Sequence, residues 1–372
     1  MPTTRAAEKN AATKGSDDKV AGSKHGIQDK TSPNSKRPRK DNGKTQQTIE
    51  DTIPSPTEAY GDGYTAPNKD EKSKPRAQNQ EADSAEKPSV REGEVPSNIL
   101  EKGIIYFFFR GRVGVDEPSD VNEIRRSYMV LRPLDRDARL GEGAIHDAGN
   151  LRLIAVPKKV FPRSGKDRWI AFVEKAHASL DTLKEEFLSS SDYETKTAGT
   201  RHSPAATPAA EGIYAITTTG RESHLAYMLT LPSELGKLQA ELGLREKGSF
   251  IISTRNPQYE APQGTALPKG PDYPKAVQDE FRALRWMPSQ PRHLDYVNTQ
   301  FLLVGESSSI EKATEPQKED EKAGKEDPGE ELEKLEDEDM HRMEALKDDD
   351  SAAIFADLGA FAKDYPKLKT TF

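Results

Sequence analysis

Chemistry near neutral pH calls first for histidine, and the chain has seven: His25, His146, His177, His202, His224, His293 and His341. No two of them stand four apart, so the His-x-x-x-His spacing that puts two zinc ligands on one helical face is missing. There are no cysteines, which removes thiolate nucleophiles, disulfides and cysteine-ligated clusters. Serines are abundant, but no Gly-x-Ser-x-Gly turn presents one for attack. Gly111-Arg112-Val113-Gly114 is too short for a dinucleotide loop, and no complete Walker loop occurs. Glu185 and Glu186 read as the solvated face of a helix rather than a paired acid and base. These patterns predict a protein that is not an enzyme, with no catalytic residue, cofactor or metal.

What remains is charge used for binding. Ser35-Lys36-Arg37-Pro38-Arg39-Lys40 places Lys36, Arg37, Arg39 and Lys40 around a proline that keeps the run extended, the physical form of a nuclear import signal. Between Tyr193 and Pro204, Lys196, Arg201 and His202 form a candidate anion or ligand loop, with Gly199 freeing backbone amides. Arg110, Arg112, Arg125 and Arg126 cluster beside Tyr106 and Phe107–Phe109, a candidate patch for nucleic acid or a protein partner. Near the C-terminus, Ile354, Phe355, Leu358 and Phe361 lie on one face of an amphipathic segment opened by Ser351 and followed by Tyr365-Pro366. That helix is expected either to dock on the folded part or to enter a groove on another protein.

These residues have to be held by something. Of 25 aromatic residues, 19 lie between Pro96 and Glu306, where 28 Lys and Arg face 27 Asp and Glu. Residues 1–59 have no Phe, Tyr or Trp, and residues 307–372 carry 20 acids against 10 bases. Only the middle can bury enough apolar surface to offset the entropy of ordering. The expected organisation is a disordered basic and polar arm over 1–96, a folded module over 97–306, an acidic linker over 307–350 that is mostly disordered or a single helix, and an amphipathic C-terminal helix over 351–372. In the linker, Leu332, Leu335, Met340, Met343 and Leu346 form a thin apolar stripe.

Within the module, strand signals fall at Gly103–Arg110, Ser127–Arg132, Leu151–Val156, Arg168–Val173, Gly212–Thr218, His224–Leu231, Gly248–Thr254 and Thr299–Val304. Helix signals fall at Ser179–Phe187, Ser233–Leu242 and Pro274–Leu284. Without strict βαβ alternation the fold class is α+β, a largely antiparallel sheet or partly closed barrel with a few short helices and long tails. Gly103-Ile104, Gly111-Arg112 and Tyr128-Met129 through Pro133 recur as Gly212-Ile213, Gly220-Arg221 and Tyr227-Met228 through Pro232, which suggests an internal duplication of hairpins.

At Gly103–Arg112, Tyr128–Pro133, Arg168–Val173 and Tyr193–Tyr214 the module resembles an uncharacterised fungal family with shorter bacterial relatives, some of whose members are labelled BTB domain transcription factors. The resemblance implies no activity and no site residues. Of the BTB pattern itself, Ser119-Asp120-Val121 is the only fragment present. The expected protein is a nuclear, non-enzymatic interaction protein associated with transcription or chromatin, the cytoplasm being the alternative location. Its partners would be an import receptor, a protein bound through the C-terminal helix, and nucleic acid bound through the basic arm. With no apolar run of ~20 residues, no membrane is expected. The alternatives are a module or small enzyme for an anionic metabolite, and a direct nucleic-acid binder.

Overall fold

The computed structural model describes residues 85–86, 95–195, 199–260, 267–346 and 349–372. The import signal at 36–40 and Lys196 lie outside the described residues.

Eight antiparallel strands close into a barrel: β1 (Ile99–Gly111), β2 (Ile124–Leu134), β3 (Leu151–Val156), β4 (Arg168–Ala178), β5 (Thr207–Thr218), β6 (Ser223–Leu231), β7 (Lys247–Arg255) and β8 (Gln300–Gly305). Each contains or overlaps a segment whose apolar and β-branched composition marks it as a strand. Going round, the order is β4-β3-β2-β1-β5-β6-β7-β8, with β8 returning to β4. Two four-stranded meanders thus join through β1 with β5 and through β4 with β8. Closure removes the open edges that a flat sheet of this size would leave.

The suggested duplication is visible in this order and in the glycines. Gly103 pairs with Tyr214 and Gly212 with Ile105, a register symmetric about the Ile104–Ile213 pair. A Cβ on either glycine would run into backbone, the Arg132 carbonyl in one case and the Met228 carbonyl in the other. The second strands are out of phase, however. Gly103 sits opposite Pro133, whereas Gly212 sits opposite Leu229 rather than Pro232. An odd offset reverses the face, so Tyr128 points outward into one cluster and Tyr227 inward into another.

Alternation along the strands makes two cores. The interior takes Ile105, Phe107 and Phe109 from β1 and at least two apolar side chains from every other strand. Phe107 meets Phe161 and Tyr227 edge-on, with ring centroids 5.2 Å apart in both pairs, and Tyr227 stacks on Phe250 at 5.5 Å. The outer core lies on β6, β5, β1, β2 and β3, where Ile104, Tyr106, Phe108, Val130, Ile213 and Met228 face helical segments.

Those segments come from the acidic region that was expected to be mostly disordered or a single helix. Residues 318–323 are helical, and they are followed by α1 (Pro328–Leu346) and α2 (Asp350–Asp357). Leu332, Leu335, Met343, Ile354, Phe355 and Leu358 are buried in the outer core. The stripe was thin but sufficient, because the barrel wall offers a matching apolar face. Asp349, not Ser351, caps α2, accepting from the Ala352 amide at 2.8 Å. Gly359 ends the helical stretch at φ +64°, a left-handed conformation that favours glycine. At the far end Lys369 N–H bonds the Pro208 carbonyl at 3.2 Å, and Phe372 packs on the interior cluster.

Candidate functional site

The most concentrated chemistry in the molecule lies between the barrel wall and helices α1 and α2. Outward-facing positions of β1 run Lys102, Ile104, Tyr106, Phe108. Across the ladder, Ile104 is opposite Arg132 of β2 and Tyr106 is opposite Glu211 of β5. On α1, Glu331, Leu335, Asp339 and Arg342 follow the i, i+4, i+8, i+11 spacing of one helical face, and all are buried. Asp357 ends α2.

Arg342 is the hub. Its Nη1 reaches Asp357 Oδ1 at 2.8 Å, and its Nη2 reaches Asp339 Oδ1 at 2.6 Å and Glu211 Oε1 at 3.3 Å. Arg132 donates to the Asp357 carbonyl at 2.7 Å and to the Ile145 carbonyl at 2.6 Å, and lies 3.3 Å from the Asp357 carboxylate. Asp357 also accepts from the Tyr106 hydroxyl and from the Ile145 amide. Thr230 donates to Asp339 at 2.7 Å, and Lys102 pairs with Glu331 at 2.8 Å. Arg342, Glu211, Asp339 and Asp357 are each 0% exposed. Burial pushes the Asp357 carboxyl up to about 7. Burial and the neighbouring Asp339 push Glu211 well above the usual carboxylate range.

A second charged group sits inside one end of the barrel. Arg152 of β3 bonds Glu101 at 2.6 Å and Asp295 at 2.7 Å, and Tyr214 donates its hydroxyl to Glu101 at 2.8 Å. Outside the barrel, His224 Nδ1 meets Glu306 at 2.7 Å, and Ser249 donates to the same carboxylate oxygen at 2.6 Å. Burial alone would raise Glu306, but the bonds from His224 and Ser249 hold it below its ordinary value. His293 is buried against Phe281, accepts the Gln290 amide through Nδ1 at 3.1 Å and faces Glu280 at 3.3 Å through Nε2. Burial lowers its pKa. Beside it is an open groove lined by Asp279, Glu280, Arg282, Leu284, Met287 and Arg292. Among the described residues no group of three or more His, Asp or Glu is arranged to hold a metal ion.

The residues singled out in the sequence fare unequally. Arg201 and His202 lie on the second strand of a small hairpin, Ser191–Thr195 with Gly199–Ser203, where a loop was expected. His202 is held between Asp192 at 2.6 Å and Asp116 at 3.1 Å, and the Asp192 hydrogen bond raises its pKa. Two carboxylates at this ring disfavour a bound anion. Arg110 and Arg126 are directly opposite each other on β1 and β2. Arg110 lies over the Tyr128 and Phe187 rings and bonds the Phe187 carbonyl, while Arg126 lies over Phe172 and 3.8 Å from Glu174. Arg112 and Arg125 are exposed beyond them. Of the four apolar residues expected to meet a partner, Ile354, Phe355 and Leu358 are spent on the barrel wall, and only Phe361 is free, 72% exposed.

Sequence inspection missed Arg132, Glu211, Asp339, Arg342 and Asp357. A signal was present in Glu211: a lone acid in the apolar run Thr207–Thr218 has to find a buried partner. Comparison with known protein families, curated proteins and solved structures found no match. No helix among the described residues is long and apolar enough to cross a membrane.

Proposed function

We propose that this is a non-enzymatic, nuclear interaction protein, in which the barrel is a scaffold and the surface around its C-terminal helices meets other proteins. The supporting observation is that all eight strands fill the barrel interior with their own side chains, so what the barrel presents to other molecules is its outside. The interior aromatics are buried and packed ring against ring, whereas enclosed ligand sites are roomy. Phe361, immediately beyond the docked helices, supplies an exposed ring of the type that anchors protein interfaces. In this proposal the Lys36–Lys40 cluster directs nuclear entry and gives the protein access to transcription or chromatin complexes.

Two experiments bear on this. A reporter fused to residues 1–60 should concentrate in nuclei and lose that distribution with Lys36→Ala and Arg37→Ala together; an unchanged distribution removes the import role. Quantitative affinity purification from nuclear extract should recover specific proteins with the wild-type chain and fewer with Phe361→Ala. Equal recovery in both would exclude the exposed ring as the contact.

A further inference from the structure

Seven charged side chains meet where the C-terminal helices cover the wall: Lys102, Arg132 and Arg342 against Glu211, Glu331, Asp339 and Asp357. All seven are buried, and the acids outnumber the bases by one. An uncompensated charge in a low-dielectric site is strongly disfavoured, so the closed arrangement is neutral only while one carboxyl keeps a proton. We infer that α1 and α2 form a proton-held latch on the barrel wall, closed by one proton shared between Glu211 and Asp357, and able to lift while the barrel stays folded.

Geometry identifies where the proton resides. Asp357 accepts from Tyr106 of β1 and the Ile145 amide and faces Arg132 of β2 and Arg342 of α1, four partners suited to an ionised carboxylate. Asp339 has Arg342 and the Thr230 hydroxyl of β6. Glu211 faces Arg342 through Oε1, with Asp339 beside it and Arg132 nearby, while its buried Oε2 has no hydrogen-bond partner. A proton on Glu211 therefore costs the cluster least. Lys102 and Glu331 satisfy one another at the edge.

Independent lifting follows from the separation of the cores. The interior cluster takes no side chain from α1 or α2, so these helices can open as a sub-global unit without emptying it. The sign of the pH response follows from linkage. Carboxyls exposed by opening titrate near the ordinary ~4, whereas in the closed cluster burial and the neighbouring Asp339 hold Glu211 well above that range. Closure is fully supported below ~4, weakens as pH rises above it, and levels off once the closed cluster has also lost its proton. The opening equilibrium rises by about tenfold per pH unit at the steepest part of this response.

Amide hydrogen exchange on the full chain, corrected for intrinsic rates, tests this. Peptides from 328–346 and 349–358 should lose protection relative to β1 and β5 as pH rises from 5 to 7, by about tenfold per pH unit at the steepest part of the response. Glu211→Gln, which keeps the shape without the titration, should hold the pH 5 protection at pH 7; Asp357→Asn, at the other raised carboxyl of the cluster, provides a second variant. If both variants keep the wild-type pH response, or if helices and barrel strands lose protection in step, the latch is overturned.

Discussion

The inner and outer faces of the same strands are packed by different chemistry. Inside, Phe107, Phe161, Tyr227 and Phe250 interlock ring on ring, and shape complementarity does the holding. Outside, apolar contacts from α1 and α2 surround a band of buried charge centred on Arg342. Buried ion pairs add little net stability over an apolar equivalent, because desolvation consumes most of the attraction, yet they are unforgiving when one member is lost. The contrast teaches that the barrel is built to be permanent, while its covering depends on a charge balance that one proton can shift.

Breaking the inner face should be the most costly change. Phe107→Ala, at a fully buried position, is expected to lose about 3–5 kcal/mol in denaturant unfolding. The loss should be the same at pH 5 and pH 7. Arg342→Met leaves Asp339, Asp357 and Glu211 facing one another without their shared cation, and about 3–5 kcal/mol is expected. Here the damage should be local: limited proteolysis should cut within 328–357 while the barrel strands stay resistant. If Arg342→Met instead unfolds everything in one transition, the two faces are not separable. A finer probe is Thr230→Val, which removes one donor from Asp339 and should cost about 1–3 kcal/mol in denaturant unfolding. The smallest effect belongs to His202→Ala, since the hairpin charges are solvent-screened. The melting temperature should be unchanged, and a clear drop would show that the hairpin braces the barrel.

Much of the fold was legible in the chain. The strands beneath the outer core show themselves as runs such as Ile104–Phe109 or Leu151–Val156, because a strand packed on both faces has to be apolar throughout. Helix 180–188 was legible through Ser179, whose hydroxyl accepts the Thr182 amide at 3.1 Å. The hairpin Ser191–Ser203 was not, because its strands are polar and exposed and show no periodicity. The docked C-terminal helices were half legible: their stripe was visible, but the wall that completes it was not.

Composition and local pattern determined where the chain can exclude water, which segments are strands, and that the C-terminal acidic segment can form a helix with one apolar side. Tertiary structure alone decided that β4 meets β8 to close the ring, that Tyr128 faces out while Tyr227 faces in, and that Arg342 meets Glu211 131 residues away. Periodicity is a property of neighbours along the chain and survives in one dimension. Charge balance in a buried site depends on which distant groups share a volume, and only folding brings those groups together.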